Sequence, residues 1–130
     1  KDISHFYANE PKKICFLFEG FIDFLSFMTL RRIQSPRYNG LSNQDYLILN
    51  SVTNIHKALK CLSVYNNIQC FLDNDEAGRN AYLQLSKELG DSSVKASALY
   101  NAYKDLNDYL CAESKHSAKA EIKKTKGIKF

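Results

Sequence analysis

The sequence predicts an α/β domain built on a parallel sheet of about four strands, flanked by helices. Two observations carry this. Short apolar runs of strand length alternate along the chain with stretches of helical periodicity. The apolar runs are continuous rather than alternating, as expected when both faces of a sheet are covered. At 130 residues the chain fits one domain, long enough to bury a core without metal or disulfide support.

The first strand is expected at Lys13 to Phe18 (KICFLF), after which Gly20 lets the chain turn. A helix follows over about Phe21 to Ile33. Phe21, Leu25 and Met28 form one stripe and Phe24, Phe27 and Leu30 another, so this helix is expected to be well buried. Pro36 stops it. A polar loop from Arg37 to Gln44 leads to a second strand, Tyr46 to Leu49. Asn50, Ser51 and Thr53 then offer caps for a helix over about Asn54 to Leu62. The third strand is Ile68 to Leu72. Asp75 can cap a helix from Glu76 to Leu89, in which Ala77, Ala81, Leu85 and Leu89 recur at every fourth position before Gly90. A fourth strand over about Ser93 to Leu99 and a short helix from Asp105 to Cys111 complete the order βαβαβαβα.

Composition is that of an ordinary soluble protein, 45% hydrophobic and 25% charged. No signal segment and no apolar run of roughly 18 residues is present, so a cytoplasmic, non-membrane protein is expected. The chain begins at Lys1 and reads as a piece of a longer polypeptide, with 1–12 as the tail of an upstream region, 13–113 as the domain and 114–130 as a basic segment. From Lys115 to Phe130 there are six lysines and one acid, Glu121. Such a segment can reach nucleic-acid phosphate, or it can be a solvated helix face or a frayed end. Cys15, Cys61, Cys70 and Cys111 form no CxxC pair, and His5, His56 and His116 are dispersed, so buried free thiols are expected rather than zinc or disulfides.

Ligands of a parallel α/β sheet bind beyond the carboxyl ends of the strands. Three such ends carry acids here. Glu19 follows the first strand, Asp73 and Asp75 the third, and Asp105 and Asp108 the fourth. If the first and third strands are neighbours, Glu19 and the Asp73/Asp75 pair share one edge. Residues two apart on an extended chain project to the same side, so both aspartates can face one ion. Asp23, one helical turn beyond Glu19, can point back to the same rim. Two unit charges about 4 Å apart repel by roughly 4 kcal/mol at an effective dielectric near 20. A hard divalent cation with oxygen ligands, Mg²⁺ or Mn²⁺, relieves that repulsion. Arg79, on the next helix's first turn, can contact phosphate at the same rim. Taken singly, each acid has an ordinary reading: Asp75 as an N-cap, Asp73 as a turn residue, Glu19 as a surface acid.

The motifs add to this. FEGFIDFLSF (Phe18 to Phe27) resembles the glutamate motif of Toprim domains in its primase form, EGxxD. FLDNDEAGRNA (Phe71 to Ala81) resembles that family's DxD motif, and KDLNDYL (Lys104 to Leu110) the primase KDxxD segment. They occur in family order, and the wording is most similar to primase-like Toprim domains of mobile elements and plasmids. The resemblance implies a Toprim (Rossmann-like) fold with a four-stranded parallel sheet between helices, and Mg²⁺-dependent phosphodiester chemistry. Glu19, Asp73 and Asp75 would be the catalytic and metal-binding acids, and Asp23, Asp105 and Asp108 accessory acids. Arg79, Lys104 and Asn50 would touch substrate. The segment Asn50-Ser51-Val52-Thr53 departs from the family's small-residue turn containing glycine.

The function so implied is nucleotidyl transfer on DNA. Its partners would be single-stranded DNA template, nucleoside triphosphates, other domains of the same longer chain and a helicase. Toprim-type phosphodiester cleavage, topoisomerase-like strand passage and a non-catalytic DNA-binding module are the alternatives. The eight tyrosines show no context that marks a topoisomerase nucleophile.

Overall fold

The computed structural model describes residues 2–37 and 40–115. In chain order the elements are β1 (Ser4–Phe6), β2 (Ile14–Phe18), α1 (Phe21–Gln34), α2 (Gly40–Asn43), β3 (Asp45–Ile48), a 3₁₀ turn (Val52–Asn54), α3 (Ile55–Leu62), β4 (Asn67–Phe71), α4 (Glu76–Leu89) and β5 (Val94–Ala96). Residues 106–115 are helical and are called α5. The basic segment expected at 114–130 lies, apart from its first two residues, outside the described residues.

Among the described residues the strands form one sheet in the order β1-β3-β2-β4-β5. The four strands read from the sequence are all parallel, and β2 and β4 are neighbours, with Phe18 opposite Phe71. The expected sheet is therefore present, with one addition. Residues 4–6, expected in the tail of an upstream region, pair antiparallel with β3 and make a fifth, edge strand. The expected fourth strand is also shorter, Val94–Ala96 instead of Ser93 to Leu99. Beyond Ala96 the chain must turn back over the sheet edge.

Alternation along the strands sorts the core into two layers of different chemistry. Cys15, Leu17, Leu47 and Cys70 face α3 and α4, meeting Ile55, Ala58, Leu62, Ala81 and Leu85 in a mainly aliphatic layer. Phe18, Tyr46 and Phe71 face α1, meeting Phe24, Phe27 and Leu30, with Tyr100 and Leu106 closing one side. Here rings pack on rings: Phe18 and Phe71 stack at 5.0 Å between centroids. Only one stripe of α1 is covered. Phe21, Ile22, Leu25 and Ile33 are exposed, against the expectation of a well-buried helix. A single helix on a sheet buries one face, and α5 shields α1 on one side through the Ser26 to Asn107 hydrogen bond.

Two backbone positions set up the rim at the strands' carboxyl ends. Gly78, in the first turn of α4, lies so close to Asp73 that a Cβ there would sit 2.0 Å from the Asp73 carbonyl oxygen. Asn50, just past β3, adopts φ 63°, a left-handed conformation that asparagine tolerates better than most residues. Among the described residues no helix is long and apolar enough to cross a membrane.

Candidate metal centre

The parallel pairing of β2 with β4 brings the residues after both strands to one place. The Asp73 main-chain N–H donates to Glu19 Oε1 at 3.2 Å, so Glu19 is fixed against the DxD segment. Asp23 enters from the first turn of α1, and Asp105 from the residue ahead of α5. Among the described residues, one carboxylate oxygen from each of Asp23, Asp73 and Asp105 lies within 4.8 Å of the others. Three separate stretches of chain thus converge on one point.

Asp75 behaves differently from its partner two residues earlier. It stands at the N-cap of α4, in extended conformation, and its Oδ1 accepts from the Gly78 N–H at 2.8 Å. The i, i+2 spacing therefore does not turn both carboxylates into the cluster. Asp75 still contributes negative charge, which raises both Glu19 and Asp73. The acids that meet are Asp23, Asp73 and Asp105, with Glu19 alongside. Two of the three were expected only as accessory acids.

Asp105 also starts a helix, since its Oδ1 accepts from the Asp108 N–H at 2.8 Å. Asp108 itself is exposed and outside the cluster. Of the three residues expected to touch substrate, Asn50 has its side-chain amide bonded to the Asp2 carbonyl at 2.7 Å and the Ser4 hydroxyl at 3.1 Å. It anchors β1 to β3. Arg79 is exposed on α4 and, with Asp73, lines a cavity of about 250 Å³ between α4 and β5. Lys104 is exposed and close enough to draw the Asp73 carboxyl downward by its charge.

That single cation is outweighed. Burial is the largest influence on Asp23 and carries its carboxyl up to about 7, with the charges of Asp73 and Asp105 adding to the rise. Main-chain N–H groups of Asn107 and Gly20 pull it partly back. Burial likewise lifts Glu19 to about 7, reinforced by Asp73 and Asp75. Asp73 is raised too, mainly by burial. At 4.8 Å, two unit charges repel by roughly 3.5 kcal/mol at an effective dielectric near 20.

The donor set fits a hard divalent cation. All candidate ligands are carboxylate oxygens, the class that Mg²⁺ and Mn²⁺ prefer. Asp73 Oδ1 is buried without a hydrogen-bond partner of standard geometry, while the Glu19 carboxyl lies close enough to the Asp73 carboxylate to share a proton with it. A cation there would satisfy that acceptor and relieve the repulsion together.

Two residues that hold this arrangement escaped the sequence reading. Tyr100 is buried, and its hydroxyl donates to the Leu72 carbonyl at 2.6 Å. Asn74, between the two aspartates, donates to the Tyr100 and Tyr103 carbonyls. Nothing in a single sequence marks either; the pairing of distant loops decides their role.

Comparison with known proteins bears on the fold that carries this geometry. A family model described as Toprim-like matches residues 16–110. The primase fragment of bacteriophage T7 primase-helicase protein, known from a crystal structure, matches with TM-score 0.55 and 21% identity, over 86% of this chain and 43% of that one. A second match comes from the structure of bacteriophage T7 lagging-strand DNA polymerase interacting with primase domains of two gp4 subunits bound to an RNA/DNA hybrid and dTTP. It has TM-score 0.54 and 23% identity, over 81% of this chain and 50% of that one. This chain thus spans half or less of the solved chains it matches, and the likeness concerns the fold. No curated protein matches it. The family match covers most of the chain and all three acid-bearing strand ends: the chain belongs to the Toprim-like family.

Proposed function

We propose that this domain is the Mg²⁺- or Mn²⁺-dependent nucleotidyl-transfer module of a primase-like DNA-processing protein. The observation that carries the reading is the convergence of a carboxylate oxygen from each of Asp23, Asp73 and Asp105 within 4.8 Å. A cluster of like charges, with Asp23 buried and Asp73 and Asp105 half-buried, has a reason to exist if a cation completes it. The resemblance of the EGxxD and KDxxD segments to primases, and the fold shared with the T7 primase fragment, support phosphoryl chemistry on nucleic acid over other uses.

When bound, a divalent cation at these acids supplies electrostatic stabilisation to a phosphoryl oxygen. The chain's own residues supply the rest. Glu19, titrating near 7 and fixed by the Asp73 N–H, is suited to hold or release a proton at neutral pH. Asp23, buried in the first turn of α1, keeps its carboxylate in the cluster with help from the main-chain N–H groups of Gly20 and Asn107. Lys104 and Arg79, exposed beside Asp73, are the cations available to nucleotide phosphates and the template backbone. Single-stranded DNA, nucleoside triphosphates and the remaining domains of a longer chain are the partners this reading requires, with a helicase as a further one.

The test uses the full-length protein with Mg²⁺ or Mn²⁺, single-stranded DNA and labelled nucleotides, beside an Asp73→Asn, Asp105→Asn double variant. Extension products that vanish in the variant are expected. Shortened DNA would make the protein a nuclease, and binding without turnover in both proteins would make it a DNA-binding module.

A further inference from the structure

The acids of the cluster come from chain segments of unequal support. Glu19 directly follows β2, Asp73 lies two residues past the end of neighbouring β4, and Asp23 lies on a helix packed against the sheet. Asp105 is different. It stands at the end of residues 97–105, which contain neither helix nor strand and must return from the sheet edge to the β4 end. Something has to fix that return.

Position 74 supplies it. The Asn74 side-chain nitrogen donates to the Tyr100 carbonyl at 3.0 Å and the Tyr103 carbonyl at 2.8 Å, and its main-chain N–H donates to the Lys104 carbonyl at 2.6 Å. All three partners are main-chain carbonyls, which only accept. The position therefore calls for a side chain with two N–H donors on one atom, which a short carboxamide provides and aspartate, serine or alanine does not. Tyr100 closes the loop from the other side, its hydroxyl donating back to the Leu72 carbonyl. The residue between the two aspartates thus grips the segment that delivers the third acid.

We infer that Asn74 is a positioning residue for the cation site, holding residues 100–104 so that Asp105 meets Asp23 and Asp73. This rests on the cation-site reading above and adds to it how the site is assembled. Asn74 is itself exposed, so removing its side chain opens no cavity. The Tyr100 carbonyl keeps a second donor, the Tyr103 N–H at 2.9 Å, and the Lys104 carbonyl keeps the main-chain N–H of residue 74. Asn74→Ala therefore loosens the clamp next to Asp105 and leaves β4 and α4 in place.

The experiment measures Mn²⁺ affinity of the whole protein by calorimetry, and amide exchange without metal, for Asn74→Ala, Asp105→Asn, Glu19→Gln and the corresponding double variants. Asn74→Ala is expected to weaken Mn²⁺ binding about tenfold, in the range for residues that orient ligands. Its effect should be absorbed by Asp105→Asn, the double variant binding no more weakly than Asp105→Asn alone, and should add to that of Glu19→Gln. Exchange at Leu106 to Asp108 should quicken while the Gly78 amide stays protected by Asp75. Tyr100→Phe, which keeps the ring and loses the hydroxyl bond, should shift affinity the same way and serves if Asn74→Ala does not fold. An unchanged affinity, an effect additive with Asp105→Asn, or faster exchange at Gly78 as well would overturn the assignment. If the parent protein binds no Mn²⁺, the cation-site reading fails instead, and exchange at Leu106 to Asp108 still decides whether Asn74 is the clamp.

Discussion

The sheet buries aspartates at both ends, and the two ends treat them in opposite ways. At the amino end, Asp45 begins β3 and is 4% exposed. Its Oδ2 accepts from the Tyr65 hydroxyl at 2.6 Å and its Oδ1 from the Ala8 N–H at 2.7 Å. His5 Nε2 completes the chain, 2.8 Å from the same hydroxyl. Since the Tyr65 hydroxyl donates its hydrogen bond to Asp45, His5 must donate to that hydroxyl from Nε2. At the carboxyl end, Asp23 is 7% exposed, yet the side chains crowding it are other acids, Asp73 and Asp105. A buried carboxylate that meets donors ties a loop and a strand together. One that meets carboxylates destabilises the fold unless a counter-charge offsets the repulsion, and that asymmetry is why we propose the carboxyl end as the site.

The sharpest way to break the contrast is to neutralise one aspartate at each end. Asp73→Asn removes a charge from the cluster and is expected to weaken Mn²⁺ binding by on the order of 100-fold. The metal-free protein should be no less stable, since repulsion is relieved. Asp45→Asn should leave Mn²⁺ affinity within about twofold and lower stability by about 1–3 kcal/mol, because buried donors lose their charged acceptor. Calorimetry and urea unfolding read the two quantities. Equal metal affinities in the two variants would end the distinction between the ends.

Tyr65→Phe probes the amino end alone. It removes the hydroxyl that donates to Asp45 and leaves a buried carboxylate with one donor fewer, for an expected loss of about 1–3 kcal/mol in urea unfolding. No change in metal affinity should accompany it. A loss below about 0.5 kcal/mol would mean that solvent replaces the hydroxyl, and that Asp45 is less enclosed than its burial implies.

How much of this could be read from the sequence follows from which signals are local. The core strands and α4 were legible, because apolar runs, the Asp75 cap and the four-residue recurrence up to Leu89 are properties of contiguous chain. Strand β1 was not. Three residues, Ser4 to Phe6, gain strand geometry only by pairing with β3, and no short-range pattern announces an edge partner. Asp45 was missed because an acid ahead of an apolar run reads as loop, and its donors lie at Ala8 and Tyr65. At the candidate site, sequence spacing pointed to the rim where Asp23, Asp73 and Asp105 meet, and weighted its members differently. Spacing says that Asp73 and Asp75 can face one way, but the orphan N–H groups at the start of α4 compete for the second carboxylate, and Gly78 N wins it. Asp23 and Asp105 take the inner positions through the packing of α1 and α5, which depends on the aromatic layer beneath.

The pH dependence separates the ends as well, and there they should act with opposite sign. At the carboxyl end the folded-state value of Asp23 is about 7, above its ordinary value of 3.8. Between those values the folded chain holds a proton that the unfolded chain has lost. Stability of the metal-free protein therefore falls as pH rises from about 4 to 7 and levels off above. Saturating Mg²⁺ at pH 8 should recover several degrees in Tm, and Asp23→Asn should reduce the slope, with Glu19 and Asp73, also raised, supplying the remainder. At the amino end burial lowers His5 below its ordinary 6.5, with Asp45 partly opposing. Its neutral form is favoured in the fold, so its contribution is complete above about 6.5 and is lost as pH falls through that value toward the lower folded one. His5 is partly exposed, and solvent screening keeps this term under about 1 kcal/mol. His5→Gln, which preserves a donor toward Tyr65, should remove the acid-side loss and leave the Asp23 slope intact. If one substitution flattened both limbs, the ends would be coupled through β2 and β3, and the division of the sheet into a structural end and a chemical end would not hold.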